Sequence, residues 1–509
     1  MDRGYDAWYP SNFPGRWKHL RKYLVRKMNK FGRYGVFPWV VALLAVTRLI
    51  PHWMPLLGSD IPGFAGYAVE FESAHRLGMS FFAFRALPAT AKAAAEGPAS
   101  SDIGVHDGQV FEYPPLALVP IVAPRLALSA IGGGAPARPV SLRQYQVAFR
   151  LQMAAVDLAL FVLLTCLLRR IYPHESWQAT SGRLLVYVAG GALFSYVMYD
   201  RLDLPLAALL TISLGVLVTS SKRNLAFLIL AAAVAYKLAP LFLIPLWAVG
   251  GLRFFRRERQ SGARFGLEIA ARAGINAAMI LGLSAACFLP AYIIGGKKSL
   301  SFLDYHQDRG IEVESTYATV CLTAYLLGDP VAVSNSYGST NVVSAWTPRL
   351  AKLATIAMIG GILLLSAAYG TMAIPWRRAV PTSARSSPIT VGQASAGLTI
   401  SMVAACLLTL LLTAKVLSPQ YILWLVPVIC LMPGTPRQRR TIFVVFLIVC
   451  LLTLVVFPIL FWALMEAGTG GHPGILTVVA IAALAARNAG LLSLLIQVLW
   501  VARHPSLRA

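Results

Sequence analysis

Stretches of about 20 apolar residues recur along the whole chain, the length that crosses a hydrocarbon core roughly 30 Å thick at 1.5 Å per helical residue. The first runs from about Gly35 to Ile50, with an extension towards Leu57. A long segment reaches to about Val147, and further runs lie near 148–168, 181–199, 203–219, 224–250 and 272–295. A second polar segment, about 297–348, precedes runs near 349–371, 396–414, 419–433, 441–463 and 473–501. The pattern predicts an all-α polytopic membrane protein with about eleven to thirteen spanning helices and interfacial helices in its outer loops. Two runs leave alternatives open. The one after Pro114 and Pro115 either crosses or lies as a re-entrant or interfacial helix. The 224–250 run should break near Lys237 and Pro240, because proline removes a helix hydrogen bond and a mid-run lysine is costly without water or a partner.

Composition supports this reading. Of 509 residues, 57% are hydrophobic and 13% charged, with a mean hydropathy of +0.65, against about 25% charged in a soluble domain. Too little polar surface remains to cover a water-facing globule. The net charge of +24 would suit nucleic acid, but the basic residues form short clusters between apolar runs, the distribution that retains loops in the cytoplasm and attracts anionic lipid. No nucleic-acid-binding motif accompanies them. The six cysteines lie in or beside apolar stretches without metal-ligand or disulfide spacing, and read as small core residues.

Charge also orients the chain. Basic residues from Arg16 to Arg33 precede the first run, with no small-residue cleavage site after it, so that run should stay as an anchor with a cytoplasmic basic arm over 1–34. The segment over about 58–147 is acidic before Pro114 and falls outside. A transmembrane module over 35–300 contains it, a second outer loop covers 301–348, and a second transmembrane module covers 349–509. Both termini then lie inside, and no convincing internal repeat emerges.

Six polar patches fall in the outer loops or at the outer ends of runs. Asp60 follows the first run, either as a cap for a loop helix or as a general base at the water–membrane boundary. Glu112 and Tyr113 precede paired prolines, which on their own mark a helix start but leave both side chains able to line a polar pocket. Asp200-Arg201-Leu202-Asp203 is either a turn held by an internal Asp–Arg pair or two carboxylates that orient a hydroxyl or, less readily, hold a divalent metal. Lys237 either snorkels or pairs with a phosphate. The stretch from Asp304 to Ser315 contains His306, Arg309 and Glu314; arginine's planar fork grips phosphate oxygens, and histidine donates to phosphate or shuttles a proton. Lys415 and Gln420 lie in a polar break that a simple hairpin would not need.

These patches, in this order, resemble the GT-C superfamily of membrane glycosyltransferases, and within it the bacterial polyprenol-phosphate-mannose-dependent alpha-mannosyltransferases. The similarity runs from about Asp60 to Pro427. It rests most on Lys415-Val416-Leu417-Ser418-Pro419-Gln420-Tyr421 with Trp424, on His306 to Ser315, and on Tyr113-Pro114-Pro115. The basic arm and the tail after about 470 carry nothing diagnostic. The resemblance implies a GT-C-like bundle with Asp60 as catalytic base and Asp200 to Asp203 as the second acidic patch, though relatives often carry an amide and a single aspartate there. The expected reaction moves a hexose, mannose above others, from a polyprenyl phosphate donor to a glycolipid or glycan acceptor on the outer face of the bacterial cytoplasmic membrane. It inverts the anomeric centre and uses no cofactor or metal. Arg309, His306, Lys237 and Lys415 would hold the donor phosphate, and Glu112, Tyr113, Asp200, Asp203, Glu314 and Gln420 the acceptor or sugar. The rivals are a transferase using another lipid-linked sugar and a secondary transporter or lipid flippase.

Overall fold

The computed structural model describes residues 35–53, 59–87, 90, 92, 111–131, 140–252, 263–307, 309–378, 388–467 and 473–504. The basic arm over 1–34, the Arg253-to-Arg259 cluster and the acidic stretch over 93–110 lie outside them. Among the described residues, six helices are long and apolar enough to cross a membrane, and seven further apolar helices have 10–17 residues. The chain is therefore an α-helical polytopic membrane protein. A 17-residue helix reaches about 26 Å, at the lower end of the length that spans a hydrocarbon core of roughly 30 Å.

In chain order, α1 spans Phe37–Trp53, α2 Ile61–Arg76, α3 Phe81–Arg85 and α4 Leu118–Ile131. The helix α5 is Leu142–Ile171, α6 Trp177–Leu193, α7 Asp203–Thr219, α8 Arg223–Tyr236, α9 Ile244–Gly250 and α10 Ala263–Gly295. Side-chain oxygens start several of them: Ser141 forms a capping box with Gln144 at α5, and Ser176 accepts from the Ala179 N–H at α6. The run over 224–250 breaks where the sequence suggests. Lys237 is extended (φ −155°, ψ 138°), and Ala239–Leu243 continues as a 3-10 turn into α9.

The second polar segment is not simply a loop. After α11 (Phe302–Gln307), strand β1 (Ile311–Glu312) leads to α12 (Thr316–Leu326), and β2 (Ala332–Ser336) and β3 (Ser339–Val343) follow. They form an antiparallel sheet in the order β1-β3-β2. Tyr337 (φ 49°) and Gly338 (φ 61°) close the β2–β3 hairpin, as a two-residue turn requires when both positions take positive φ. This sheet corrects the all-α expectation locally. Its strands are short and polar, so no apolar pattern announces them.

The C-terminal helices are α13 (Thr347–Arg378), α14 (Pro388–Thr413), α15 (Leu425–Cys430), α16 (Pro436–Leu454), α17 (Phe461–Glu466) and α18 (Ile475–Arg503). Between α14 and α15 the chain unwinds at Lys415 to Ser418 and re-enters as a 3-10 turn at Pro419–Trp424. Proline forces the preceding Ser418 into an extended conformation, so the break is local chemistry. In the most apolar part of the α14 stretch Ser395–Thr413, 94% of residues are buried, against 11% in that of Gly266–Leu300, which holds most of α10. The first is a central post packed on α13 and α18, and the second lies at the perimeter against α8 and α9 with its apolar side outward.

Close approach matters more than apolar area here, because lipid tails are as apolar as the helix faces. At Gly191 a side chain would collide with the Arg48 guanidinium, so glycine lets α6 close on α1. Arg48 Nε pairs with Asp157 Oδ2 at 2.7 Å, and both are buried. Tyr199 donates to the same oxygen at 3.0 Å, and Tyr187 donates to Oδ1. This fully bonded, buried node ties α1, α5 and α6 together.

Candidate functional site

A cavity of about 620 Å³ opens where these breaks and helix ends meet, within the range of small-molecule sites. Of the residues singled out in the sequence, Asp60, Glu112, Tyr113, Asp203, Lys237, His306, Arg309, Glu314 and Gln420 line it. They come from the start of α2, the turn before Pro115, the start of α7, the break after α8, the end of α11 with β1, and the break after α14. Asp200 and Lys415 lie outside its lining.

Asp60 occupies the N-cap position of α2 but makes no side-chain cap bond; Ser59 Oγ accepts from the Ile61 N–H instead. The Asp60 carboxylate pairs with Arg201 and lies 3.4 Å from the Tyr113 hydroxyl. The reading of Asp200 to Asp203 as a turn closed by its own Asp–Arg pair is thereby corrected, since three neighbouring charges take three remote partners. Arg201 goes to Asp60, and Asp200 accepts a two-pronged bond from Arg150, Nε–Oδ1 at 2.7 Å and Nη2–Oδ2 at 2.8 Å. Asp203 Oδ1 accepts from Lys237 Nζ at 2.7 Å and from Trp424 Nε1 at 2.8 Å. The alternation follows from geometry: Asp203 opens α7 and faces the cavity, while Asp200 precedes it and faces the buried side of α5.

Lys237 is thus neutralised by a carboxylate, with its ammonium 4.6 Å from the Tyr421 ring centroid and 5.3 Å from that of Trp424. Those two rings stack at 4.7 Å. Glu312, which the sequence reading passed over, joins the two sides of the site. Its N–H donates to the Lys415 carbonyl at 2.9 Å, and its Oε1 accepts from Ser418 Oγ at 2.7 Å. The Tyr305 hydroxyl donates to the Tyr337 carbonyl at 2.5 Å, which fastens the β2–β3 hairpin over the cavity.

The electrostatics are mixed. Burial, and then the charges of Arg309, Lys237 and Lys415, push the His306 imidazole down to about 4, so it is neutral at physiological pH. Lys415 therefore acts on the site through its field although its side chain is not part of the wall. Five carboxylates (Asp60, Glu112, Asp203, Glu312 and Glu314) face three permanent cations, Arg201, Lys237 and Arg309. Arg309 lines the cavity with an enclosed Nε that has no acceptor among the described residues.

The tail after about 470, read as undiagnostic, supports the site from behind. Arg487 of α18 is fully buried and donates to the Glu314 carbonyl, and the neighbouring Asn488 amide donates to Thr319 Oγ1 at 2.8 Å. A search for ionisable residues inside apolar runs would have found Arg487, and equally Arg48, Arg150 and Asp157. Among the described residues, no group of three or more His, Cys, Asp or Glu is placed to hold a metal ion. Comparison with protein-family models, curated proteins and solved structures finds no match for this chain.

Proposed function

We propose that the protein is an inverting glycosyltransferase that moves a hexose, mannose above others, from a polyprenyl phosphate donor to a lipid-linked or glycan acceptor at the outer face of a bacterial cytoplasmic membrane. The observation that carries this reading is the convergence of three regions far apart in the chain, Asp60, His306 with Arg309, and Gln420, on one polar cavity at the helix ends. A lipid-linked substrate needs such a place, with its tail among the helices and its reacting end in a polar chamber.

In this reaction the acceptor hydroxyl attacks the anomeric carbon on the face opposite the phosphate. The acceptor proton passes to Asp60, and the carbon–oxygen bond to the leaving polyprenyl phosphate breaks. Negative charge grows on that phosphate, and Arg309 is aimed at it, with neutral His306 as a hydrogen-bonding partner. Arg201 has a part that the sequence did not suggest. An incoming phosphate competes with Asp60 for its guanidinium, so donor binding frees the base. Lys237, held by Asp203, serves the site as a fixed element rather than as a mobile phosphate ligand.

One observation favours a second reading. Two interrupted helices, at Lys237 and at Lys415 to Ser418, meet at one polar cavity, as the discontinuous helices of secondary transporters do. Incubating purified protein in lipid with radiolabelled polyprenyl phosphate mannose and extracted membrane glycolipids separates the two. Label should pass to a new product with wild type and not with Asp60→Ala. Equal transfer by both rejects Asp60 as base; no transfer with any lipid-linked sugar, together with solute or lipid movement across the bilayer, favours transport.

A further inference from the structure

The wall of the cavity formed by Ile311 to Ser315 has a chemistry that phosphate binding does not explain. Glu312 and Glu314, two residues apart, are 7% and 2% exposed. Ser418 satisfies one oxygen of Glu312, but Glu312 Oε2 and Glu314 Oε1 are enclosed and have no donor among the described residues. Arg487, the buried cation behind them, donates to the Glu314 backbone carbonyl. A buried anion without donors is costly, and the cost is removed when a proton is bound.

The charge balance points the same way. Five lining carboxylates face three lining cations, and Lys415 and Arg487 add positive field from behind the wall, so a fully ionised site offers a phosphate no net attraction. Burial and the charge of Glu312 push the Glu314 carboxyl well above the usual carboxylate range, against the opposing charges of Arg487 and Arg201; Tyr196 also faces it, and Arg309 faces Glu312. One proton held by the pair removes one negative charge and gives the wall a donor beside its acceptors.

We propose that Glu312 and Glu314 act as a carboxylate and carboxylic acid pair that binds the hydroxyl groups of a sugar ring and so decides which ring the site accepts. This rests on the reading of the cavity as a sugar-transfer site. A hydroxyl both donates and accepts, and so matches a wall that does both. A phosphate diester cannot donate, and an ammonium cannot accept. Because the wall is enclosed, an analogue lacking the recognised hydroxyl leaves buried polar groups unpaired and is rejected far more strongly than one lacking a methylene.

The test measures binding of methyl α-mannopyranoside, its deoxy analogues and inorganic phosphate to the full-length protein in lipid nanodiscs, from acid to alkaline pH. In the wild type the hexoside affinity should fall as pH rises and the shared proton is lost. At least one deoxy analogue should bind on the order of tenfold more weakly. Glu314→Gln, whose amide donates and accepts, should retain measurable affinity with a flat pH profile. Glu314→Ala should lose hexoside affinity by on the order of tenfold while inorganic phosphate binding is undiminished, which also shows that the variant is folded. No saturable hexoside binding by the wild type, unchanged affinity in Glu314→Ala, or an unaltered pH profile in Glu314→Gln each overturns the proposal. If hexosides bind as described but no label transfer occurs, the transferase reading fails and the pair stands. If transfer occurs and Glu314→Ala binds hexoside like wild type, the pair alone fails.

Discussion

Replacing Asp203 with asparagine removes a charge and little else, because the amide oxygen can still accept from Trp424 Nε1. What it leaves behind is Lys237, 14% exposed at its side chain and without its carboxylate partner. Breaking a buried ion pair from one side costs about 3–5 kcal/mol. The Tyr421 and Trp424 rings beneath the ammonium keep about 1–2 kcal/mol of cation–π attraction for the stranded charge, so Asp203→Asn should lose about 1–4 kcal/mol. Lys237→Met strands the carboxylate instead and should lose about 3 kcal/mol. The double variant has no stranded charge, and methionine packs on the same two rings, so it should fall within about 1 kcal/mol of wild type. Unfolding of the purified protein in mixed micelles with increasing sodium dodecyl sulfate, followed by tryptophan fluorescence, gives the three differences. A double variant that loses the sum of the single losses refutes the reasoning, since it would mean that Lys237 and Asp203 contribute through separate contacts.

Arg48→Met should destabilise the protein by about 3–5 kcal/mol in the same unfolding assay without changing ligand affinity, since the Arg48–Asp157 node lies outside the cavity lining. Asp200→Asn should likewise lower stability, through Arg150, and leave the KM for a lipid-linked sugar unaltered; a raised KM with wild-type stability would return Asp200 to the binding site. For His306 the folded value of about 4 lies below the ordinary 6.5, so the unfolded chain binds the extra proton between those values. Stability therefore falls as pH drops through that window, by on the order of 3 kcal/mol, and His306→Gln should flatten the decline in a pH series of unfolding curves. Gly338→Ala places a methyl group against the Tyr305 hydroxyl at a positive-φ position; it should loosen the hairpin and lower turnover more than it lowers stability, measured by initial rates beside unfolding.

The six long apolar helices and both helix breaks were legible because their causes are local, whereas the expected count of eleven to thirteen spans goes beyond those six. Apolar length marks a candidate crossing, and a proline just after a polar residue, Pro240 after Lys237 and Pro419 after Ser418, marks an interruption. The gathering of the polar patches at helix ends followed from their positions relative to the spans. Their partners did not. Arg201 is adjacent to Asp200 in the chain yet reaches Asp60, and Asp200 reaches Arg150 instead; which carboxylate an arginine meets depends on how α2, α5 and α7 pack. The hairpin lacked the Asn-Gly or Asp-Gly signal of a two-residue turn, and its polar strands become visible only once paired. Arg487 was visible as a charge inside an apolar run, but its role depends on α18 lying behind β1, a contact across more than a third of the chain. The excess of carboxylate over cation in the cavity is a tertiary property of the same kind. No single patch carries it, and it appears only when Glu312, Glu314, Asp60, Asp203 and Glu112 are brought to one cavity. On the proposed reading a proton held by Glu312 and Glu314 tips that balance towards an incoming phosphate, so the pair and the phosphate site would be coupled through charge.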